Sequence, residues 1–229
     1  MIKTHFFGND CIVDRALKNR DNLALNLKSL HFNFQNILML NQIHGKEVVV
    51  IDDKSKIYGE QSLPKADGIV TNLIEVVLAI VTADCSPILF FDDQSKIVGA
   101  CHAGWRGAKL GVIEETVKAM KALGAKKISA KIGPMIQQNS YEISLDFYQD
   151  FINENSDNNK FFKTTQKPDK FNFNLCGYVE QKISNLGTKS IEVSKIDTYD
   201  ESSSFFSYRR ANHQGLSDCG RNISVIAIN

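Results

Sequence analysis

The side chains best suited to chemistry lie between residues 82 and 107, which include Cys85 and His102. Two apolar segments separate this cysteine from this histidine, with a polar turn at residues 92–95 between them. If the segments form a hairpin with residues 93 and 94 at its tip, Cys85 stands directly opposite His102. A thiolate and an imidazole can share a metal ion, or act as a nucleophile and its base. A buried thiol beside a core histidine is the plainer alternative.

A third candidate ligand is His44, which ends an apolar segment and is followed by Gly45. It is too distant along the chain for any zinc-finger spacing, so spacing alone does not show that the three side chains converge. Three ligands with one open position would make a catalytic zinc site rather than a structural one. Copper (Cu2+) also accepts two histidines and a cysteine. Alternation along the strand points Cys101 away from His102, and we expect Cys101 in the core.

Three arginines and two aspartates are further candidates for the site. Arg106 lies between a predicted strand and a predicted helix, where helix amides and a guanidinium bind phosphate well; a glycine turn required by packing explains the same residues. Arg209 precedes a second arginine, and in a strand the two would face opposite sides. Arg221 is another phosphate-binding candidate. Asp67 and Asp84 can transfer a proton or orient a metal ligand.

The elements that must position these residues indicate an α+β protein with mixed sheets, since strands come in clusters and helices are few. Hydrophobic patterning predicts strands at residues 36–43, 46–52, 75–85, 88–91, 97–101, 189–196 and 221–228. It predicts helices at residues 14–30, 108–123 and 174–186, the last begun by Asn174, with Gly124 and Gly187 ending the second and third. The polar residues 153–160 read as a surface loop, and one domain over residues 1–229 is expected.

Composition excludes several classes of partner. The chain has 229 residues and a net charge of +1, which predicts neither nucleic-acid binding nor attraction to an anionic membrane. No apolar run has the length of a membrane helix, and the first residues lack the apolar core of a secretory signal. Five cysteines without a CxxC motif favour a reducing, cytoplasmic location over a disulfide framework. The oligomeric state is left open.

Six motifs occur in the order in which a known family has them. They are Asn41-Gln42-Ile43-His44-Gly45, Ala66-Asp67-Gly68, Thr82-Ala83-Asp84-Cys85, His102-Ala103-Gly104-Trp105-Arg106-Gly107, Ile132-Gly133-Pro134 and Phe205-Phe206-Ser207-Tyr208-Arg209-Arg210. The chain therefore resembles the bacterial laccase-domain family, also described as polyphenol oxidases and as multifunctional purine nucleoside phosphorylases. The resemblance covers nearly the whole chain from residue 36 onward.

The resemblance implies a fold, a metal site and an activity. The fold would be a layered α/β/β/α-type sandwich with largely antiparallel mixed sheets. His44, Cys85 and His102 match the family's metal ligands, with zinc (Zn2+) as the expected ion. The substrates would be purine nucleosides and phosphate, through phosphorolysis of adenosine, inosine and methylthioadenosine, with adenosine deamination alongside.

Three other functions are compatible with the same residues. A copper-dependent oxidase of phenols follows from the older family description, although five histidines are few for a multicopper enzyme. A metal-free Cys-His hydrolase, acting for instance on peptidoglycan precursors, would use Cys85 and His102. A non-catalytic protein with a structural metal is the last alternative.

Overall fold

The computed structural model describes residues 1–11 and 20–229. In chain order the strands are β1 (Ile2–Phe7), β2 (Asn36–Leu38), β3 (Val48–Ile51), β4 (Gly68–Thr71), β5 (Val76–Thr82), β6 (Ser86–Asp92), β7 (Ile97–Ala103), β8 (Ser129–Ile132), β9 (Glu142–Ser144), β10 (Phe162–Thr164), β11 (Lys170–Phe173), β12 (Ser190–Val193) and β13 (Asn222–Ile228). The helices are α1 (Arg20–Ser29), α2 (Trp105–Leu110), α3 (Val112–Ala122), α4 (Leu145–Glu154), α5 (Leu175–Asn185) and α6 (Tyr208–His213).

The strands form two large mixed sheets and one small sheet. One large sheet has the order β1-β13-β5-β2, the other has the order β12-β8-β6-β7-β4-β3, and the small sheet has the order β10-β11-β9. The pairs β2–β5, β3–β4 and β8–β12 are parallel, and the other pairs are antiparallel. The expected mixed, largely antiparallel α+β architecture is confirmed.

The two large sheets pack face to face between helices, as a layered sandwich requires. The layer between the sheets buries apolar side chains from both, including Leu78, Ile80, Leu89, Val98 and Ala100. Burying one such leucine or isoleucine stabilises the fold by about 1.5–3 kcal/mol. Residues 75–85 were predicted as a strand buried on both faces. Strand β5 lies in the interior of the four-stranded sheet and is almost entirely buried, which confirms this prediction for residues 76–82.

Helices cover the outer faces of both sheets. Helices α3 and α5 pack on the six-stranded sheet, where Cys101 is buried in the same cluster, as strand alternation predicted. On the four-stranded sheet, Leu23 and Leu27 of α1 pack against Val77 and Ala79. Of the helix predicted at residues 14–30, residues 14–19 lie outside the described residues, and α1 covers most of the remainder. Among the described residues, no helix combines the length and the apolarity of a membrane span.

The helix predicted at residues 108–123 is two helices. It begins earlier, at Trp105 of α2, and it breaks at Gly111, whose φ of 103° is the left-handed conformation that glycine adopts without strain. Gly124, with φ of 105°, ends α3 as predicted. The break separates α2, next to the candidate site, from α3, which packs on the sheet.

Two further helix boundaries test the sequence reading. The Asn174 side chain accepts a 2.9 Å hydrogen bond from the Gly177 N–H and begins α5 as predicted. Residues 153–160 lie mostly at the surface as expected, but they do not form a loop, because α4 ends at Glu154 and residues 156–161 form a 3-10 helix. That short helix buries Phe161, and an apolar side chain at the end of a polar run explains why the segment is ordered.

Candidate metal centre

Two imidazoles and one thiol converge at one edge of the space between the sheets. The ligand atoms of His44, Cys85 and His102 all lie within 4.8 Å of one another. The rings of the two histidines meet edge to face, with centroids 4.6 Å apart. Donor atoms bound to one zinc ion at about 2.0–2.3 Å lie roughly 3.5 Å apart, so small side-chain movements close the set around a metal.

The hairpin that brings the cysteine to the histidine has a different register from the predicted one. Pro87, not Cys85, pairs with His102, because the turn contains four residues, 93–96. The register is shifted by two residues, and a shift by an even number keeps each side chain on its face of the sheet. Cys85 therefore stays on the face of His102, opposite Gly104. A Cβ at Gly104 would lie 2.8 Å from the Cys85 Sγ.

One buried carboxylate positions both histidines. Asp67 is 0% exposed, and its Oδ1 lies 2.7 Å from the His102 Nδ1. The same carboxylate accepts hydrogen bonds of 2.7–3.0 Å from the backbone N–H groups of Ile43, His44 and Gly45. These bonds hold the backbone at His44, whose φ is 58°. Because the carboxylate occupies Nδ1, His102 presents its Nε2 to the cluster.

The histidines favour a thiolate at the centre of this cluster. Burial raises the pKa of Cys85, but the two imidazoles outweigh burial and lower it to about 6. Burial lowers the pKa of His102, but the Cys85 thiolate and the Asp67 carboxylate outweigh burial and raise it to about 9. The two shifts have one cause, the attraction between thiolate and imidazolium. A thiolate is the form of cysteine that binds a metal or attacks a substrate.

A cleft of about 710 Å3 opens beside the cluster. This volume lies in the range of about 300–1,000 Å3 that is usual for small-molecule sites. The described residues that line it are Leu40, Asn41, Gln42, His44, Gln61, Leu63, Val81, Thr82, Ala83, Cys85, His102, Tyr208 and Arg221. Apolar side chains, three amides, two hydroxyls and one arginine thus surround the candidate ligands, so the cleft offers both apolar surface and hydrogen-bonding groups.

The sequence-based candidates omitted Gln42 and Tyr208, which line the cleft. The Gln42 amide donates to the Val81 carbonyl (2.8 Å) and accepts from the Val81 N–H (2.9 Å), which extends the ladder of β5. A polar residue inside an apolar segment next to His44 was the available signal for Gln42. Tyr208 stands beside a predicted arginine, but nothing in its type pointed to the cleft.

The three predicted phosphate-binding arginines have different surroundings. Arg106 is exposed and does not line the cleft, and it makes no hydrogen bond or ion pair with the described part of the chain. Arg221 lines the cleft, but its guanidinium donates to the carbonyls of Cys219 and Gly220 and pairs with Asp218 at 2.9 Å. Its charge is therefore largely used within its own turn.

The arginine pair lies in helix α6 and not in a strand, so the alternation considered for a strand does not apply. Ser207 caps this helix by accepting from the Arg210 N–H. The Arg210 guanidinium donates to three backbone carbonyls, those of Thr198, Asp200 and Phe205. The Arg209 side chain points in a different direction, toward Glu142 and the Tyr141 ring, because adjacent residues on a helix face different sides. Arg210 consequently fixes the loop before α6. The Arg209 guanidinium makes one hydrogen bond within the described residues, to the Glu142 carbonyl, and its other N–H groups remain available.

Asp84 holds α6 against the residues that precede β6. Its Oδ2 accepts from the Arg209 N–H and its Oδ1 from the Thr198 hydroxyl, both at 2.7 Å. Its φ of 92° is a left-handed conformation that a non-glycine residue adopts at a cost. With both oxygens occupied, this carboxylate positions its neighbour Cys85 and is poorly placed to carry a proton.

A two-sheet α+β fold with a His-Cys-His cluster beside a cleft indicates a protein with a metal centre. A family model described as multi-copper polyphenol oxidoreductase laccase matches residues 9–229, and the chain belongs to this family. The family resemblance inferred from the six motifs is thereby confirmed.

Named relatives and solved structures agree with this assignment. The chain is 35% identical over 212 residues to a purine nucleoside phosphorylase of Rickettsia prowazekii, covering 92% of this chain and 86% of the relative. It is 36% identical over 172 residues to purine nucleoside phosphorylase YfiH of Escherichia coli, covering 75% and 67%. A Neisseria meningitidis crystal structure superposes with a TM-score of 0.82 at 26% identity, covering 100% of this chain and 94% of that chain. A Bacillus licheniformis protein, at 24% identity, shares the fold with a TM-score of 0.85, covering 100% and 93%.

Proposed function

We propose that this protein is a zinc-dependent purine nucleoside phosphorylase. The observation that carries the proposal is the convergence of His44, Cys85 and His102 at the edge of the cleft. The substrate class is taken from the names of the relatives in Rickettsia prowazekii and Escherichia coli. Adenosine, inosine and methylthioadenosine are the proposed nucleosides, with adenosine deamination as a second activity.

The donor set fits a zinc ion. Two imidazoles and a thiolate are usual zinc ligands, and three protein ligands leave one position open, as in catalytic sites. The low pKa of Cys85 supplies the thiolate without strong base. When bound, zinc acts as a Lewis acid or lowers the pKa of a bound water. Copper fits the same donors, so the metal is part of the proposal.

Phosphorolysis breaks the C1′–N9 bond of the nucleoside and forms a bond between C1′ and a phosphate oxygen. The electron pair of the broken bond leaves with the purine, which takes up a proton. The chain's part is to bind the nucleoside in the cleft, to orient His102 through Asp67, and to neutralise phosphate with an arginine. The apolar and amide lining of the cleft suits a purine and a ribose.

Elemental analysis and turnover test the proposal together. We expect about one zinc per chain and formation of hypoxanthine from inosine and phosphate. Cys85→Ala is expected to lose the zinc and at least about a hundredfold in kcat/KM, because it removes one of the three side chains that would bind the ion. Cys176→Ala, at a buried thiol outside the cleft, is the matched control and should keep both. Unchanged hypoxanthine formation by Cys85→Ala would overturn the proposal.

A metal-free cysteine hydrolase is the second candidate, because Cys85, His102 and Asp67 are also ordered as a nucleophile, a base and its orienting acid. The two candidates respond to chelation in opposite ways. A hydrolase keeps its activity after the metal is removed and loses it when Cys85 is alkylated. A phosphorylase of the proposed kind loses its activity on chelation and regains it with added zinc.

A further inference from the structure

Tyr141 is a side chain near the cluster that the proposed function has not used. It follows the Gly133–Pro134 segment after β8 and comes directly before β9. Its ring contacts Phe173 and Phe147, with centroids 5.8 and 6.5 Å away. On the other side, the Arg209 guanidinium carbon lies 5.3 Å from the ring centroid. The ring is therefore held in place by an aromatic cluster and a cation.

The hydroxyl of this fixed ring makes no hydrogen bond within the described residues, although the side chain is half-buried. The hydroxyl of Tyr148, on the same aromatic cluster, binds Asn159 at 2.9 Å. Burial raises the pKa of Tyr141, and the nearby charge of Cys85 raises it further. The phenol offers a hydrogen-bond donor at neutral pH, beside the Arg209 guanidinium.

The Arg209 guanidinium also has donors to spare. One nitrogen donates to the Glu142 carbonyl at 2.8 Å, and no carboxylate forms an ion pair with this guanidinium among the described residues. The Arg209 backbone is held by Asp84, the residue before Cys85. In contrast, the guanidinium groups of Arg221 and Arg210 donate to backbone carbonyls, at residues 219–220 for Arg221 and at residues 198–205 for Arg210. Arg209 thus carries a positive charge with further N–H donors available, and its backbone is anchored to the residue before a candidate ligand.

We propose that the Tyr141 hydroxyl and the Arg209 guanidinium together bind the phosphate that attacks the nucleoside. This inference rests on the proposed function. A phosphate dianion accepts hydrogen bonds from a phenol and from the planar fork of an arginine, and it balances the positive charge. Neither residue lines the 710 Å3 cleft itself, but Arg209 follows the cleft residue Tyr208, and its backbone N–H is bonded to Asp84, which lies between the cleft residues Ala83 and Cys85, so the phosphate would sit beside the nucleoside. In-line displacement at C1′ requires such an adjacent position, because the phosphate oxygen must approach C1′ on the face opposite the departing purine.

Steady-state kinetics of the zinc-loaded full chain test the subsite. Tyr141→Phe removes only the hydroxyl, and its KM for phosphate is expected to rise about tenfold, which equals about 1.4 kcal/mol. Its KM for inosine should stay within about twofold, since that substrate binds elsewhere. Arg209→Lys keeps the charge and loses the fork, so it should raise the same constant. Tyr148→Phe, the control on the same aromatic cluster, should change neither constant.

Binding of inorganic phosphate gives a readout that does not depend on turnover. Calorimetric titration of zinc-loaded wild-type protein with phosphate should show binding that Tyr141→Phe weakens by a similar factor, at equal zinc content. An active wild type together with an unchanged phosphate KM in Tyr141→Phe would overturn this inference alone. A wild type that forms no hypoxanthine would overturn the proposed function, and this inference with it.

Discussion

At the scale of single residues, the candidate centre depends on Asp67 more than on any residue that would touch a metal. This buried carboxylate accepts the His102 ring N–H and the N–H groups of residues 43–45. It thereby joins two ligands that are distant in sequence. A carboxylate with several donors around it stays ionised, and its pKa is held low although burial alone raises it. We therefore expect Asp67 to position the candidate ligands His44 and His102.

Replacement of Asp67 by asparagine therefore tests positioning without a large change in volume. The amide nitrogen of Asp67→Asn would face N–H donors, and both histidines would lose their fixed orientation. We expect a 10–100-fold loss of zinc affinity, the usual effect of removing an outer-shell partner. Competition with a chromophoric chelator measures this affinity. Asp93→Asn, at an exposed turn, should bind zinc like the wild type, and an equal affinity in Asp67→Asn would contradict the assigned role.

At the scale of elements, the turn of the β6–β7 hairpin sets where Cys85 lies. The fully buried Asp92 accepts four backbone hydrogen bonds of 2.7–3.1 Å, from Gln94 and Ser95 in the turn and from Lys126 and Lys127 before β8. Burial raises the pKa of Asp92, but these four donors outweigh burial and lower it well below its usual range. One side chain fixes both the turn and the approach to the next strand.

The folded state therefore lowers the pKa of Asp92 relative to the unfolded chain. A lowered pKa contributes stability above the unfolded value of about 4, and this contribution is lost as the pH falls through the folded value. Asp92→Asn is expected to lower the free energy of unfolding by about 2–3 kcal/mol at pH 7. Its stability should also fall less steeply than that of the wild type below pH about 4. Urea unfolding across this pH range measures both effects, with exposed Asp93→Asn as the comparison; parallel pH curves would refute the account.

The same hairpin shows what sequence could and could not predict. Apolar runs predicted both strands, and alternation predicted which side chains share a face of the sheet, because both patterns depend only on neighbouring residues. A polar turn was predicted at residues 92–95 but lies at residues 93–96, and this shift was missed because the Asp92 contacts to Lys126 and Lys127 come from outside the hairpin. The break at Gly111 was missed for a similar reason: a glycine inside an amphipathic pattern has no local sign that it will adopt a positive φ.

At the scale of the whole molecule, the three candidate ligands come from parts of the chain that belong to different layers. His44 follows β2 of the four-stranded sheet, Cys85 lies between β5 and β6 and so links the two sheets, and His102 lies within β7 of the six-stranded sheet. Their convergence could not be predicted from spacing, because it follows from the packing of the two sheets. A metal bound here would tie the sheets together at one edge.

Metal removal should consequently lower the stability of the entire fold. A ligand at a hundred times its Kd adds about 2.7 kcal/mol, which for a chain of this size shifts the Tm by about 5–10 °C. We expect a chelator to lower the Tm of the zinc-loaded wild type by about this amount, as measured by scanning calorimetry. Cys85→Ala should melt at one temperature with and without the chelator. A wild-type Tm that is the same with and without the chelator would show that the stability of the packed sheets does not depend on a bound ion.

The hydrogen side chain of Gly104 has a consequence for how this centre tolerates change. A methyl group there would lie 2.8 Å from the cysteine sulfur and 3.3 Å from the His44 ring carbon Cδ2. The space in which an ion would sit is thus open because Gly104 has no Cβ atom. Any larger residue at this position would crowd the donors apart while leaving every one of them in the sequence, so the three donors alone are not enough to recognise a working centre.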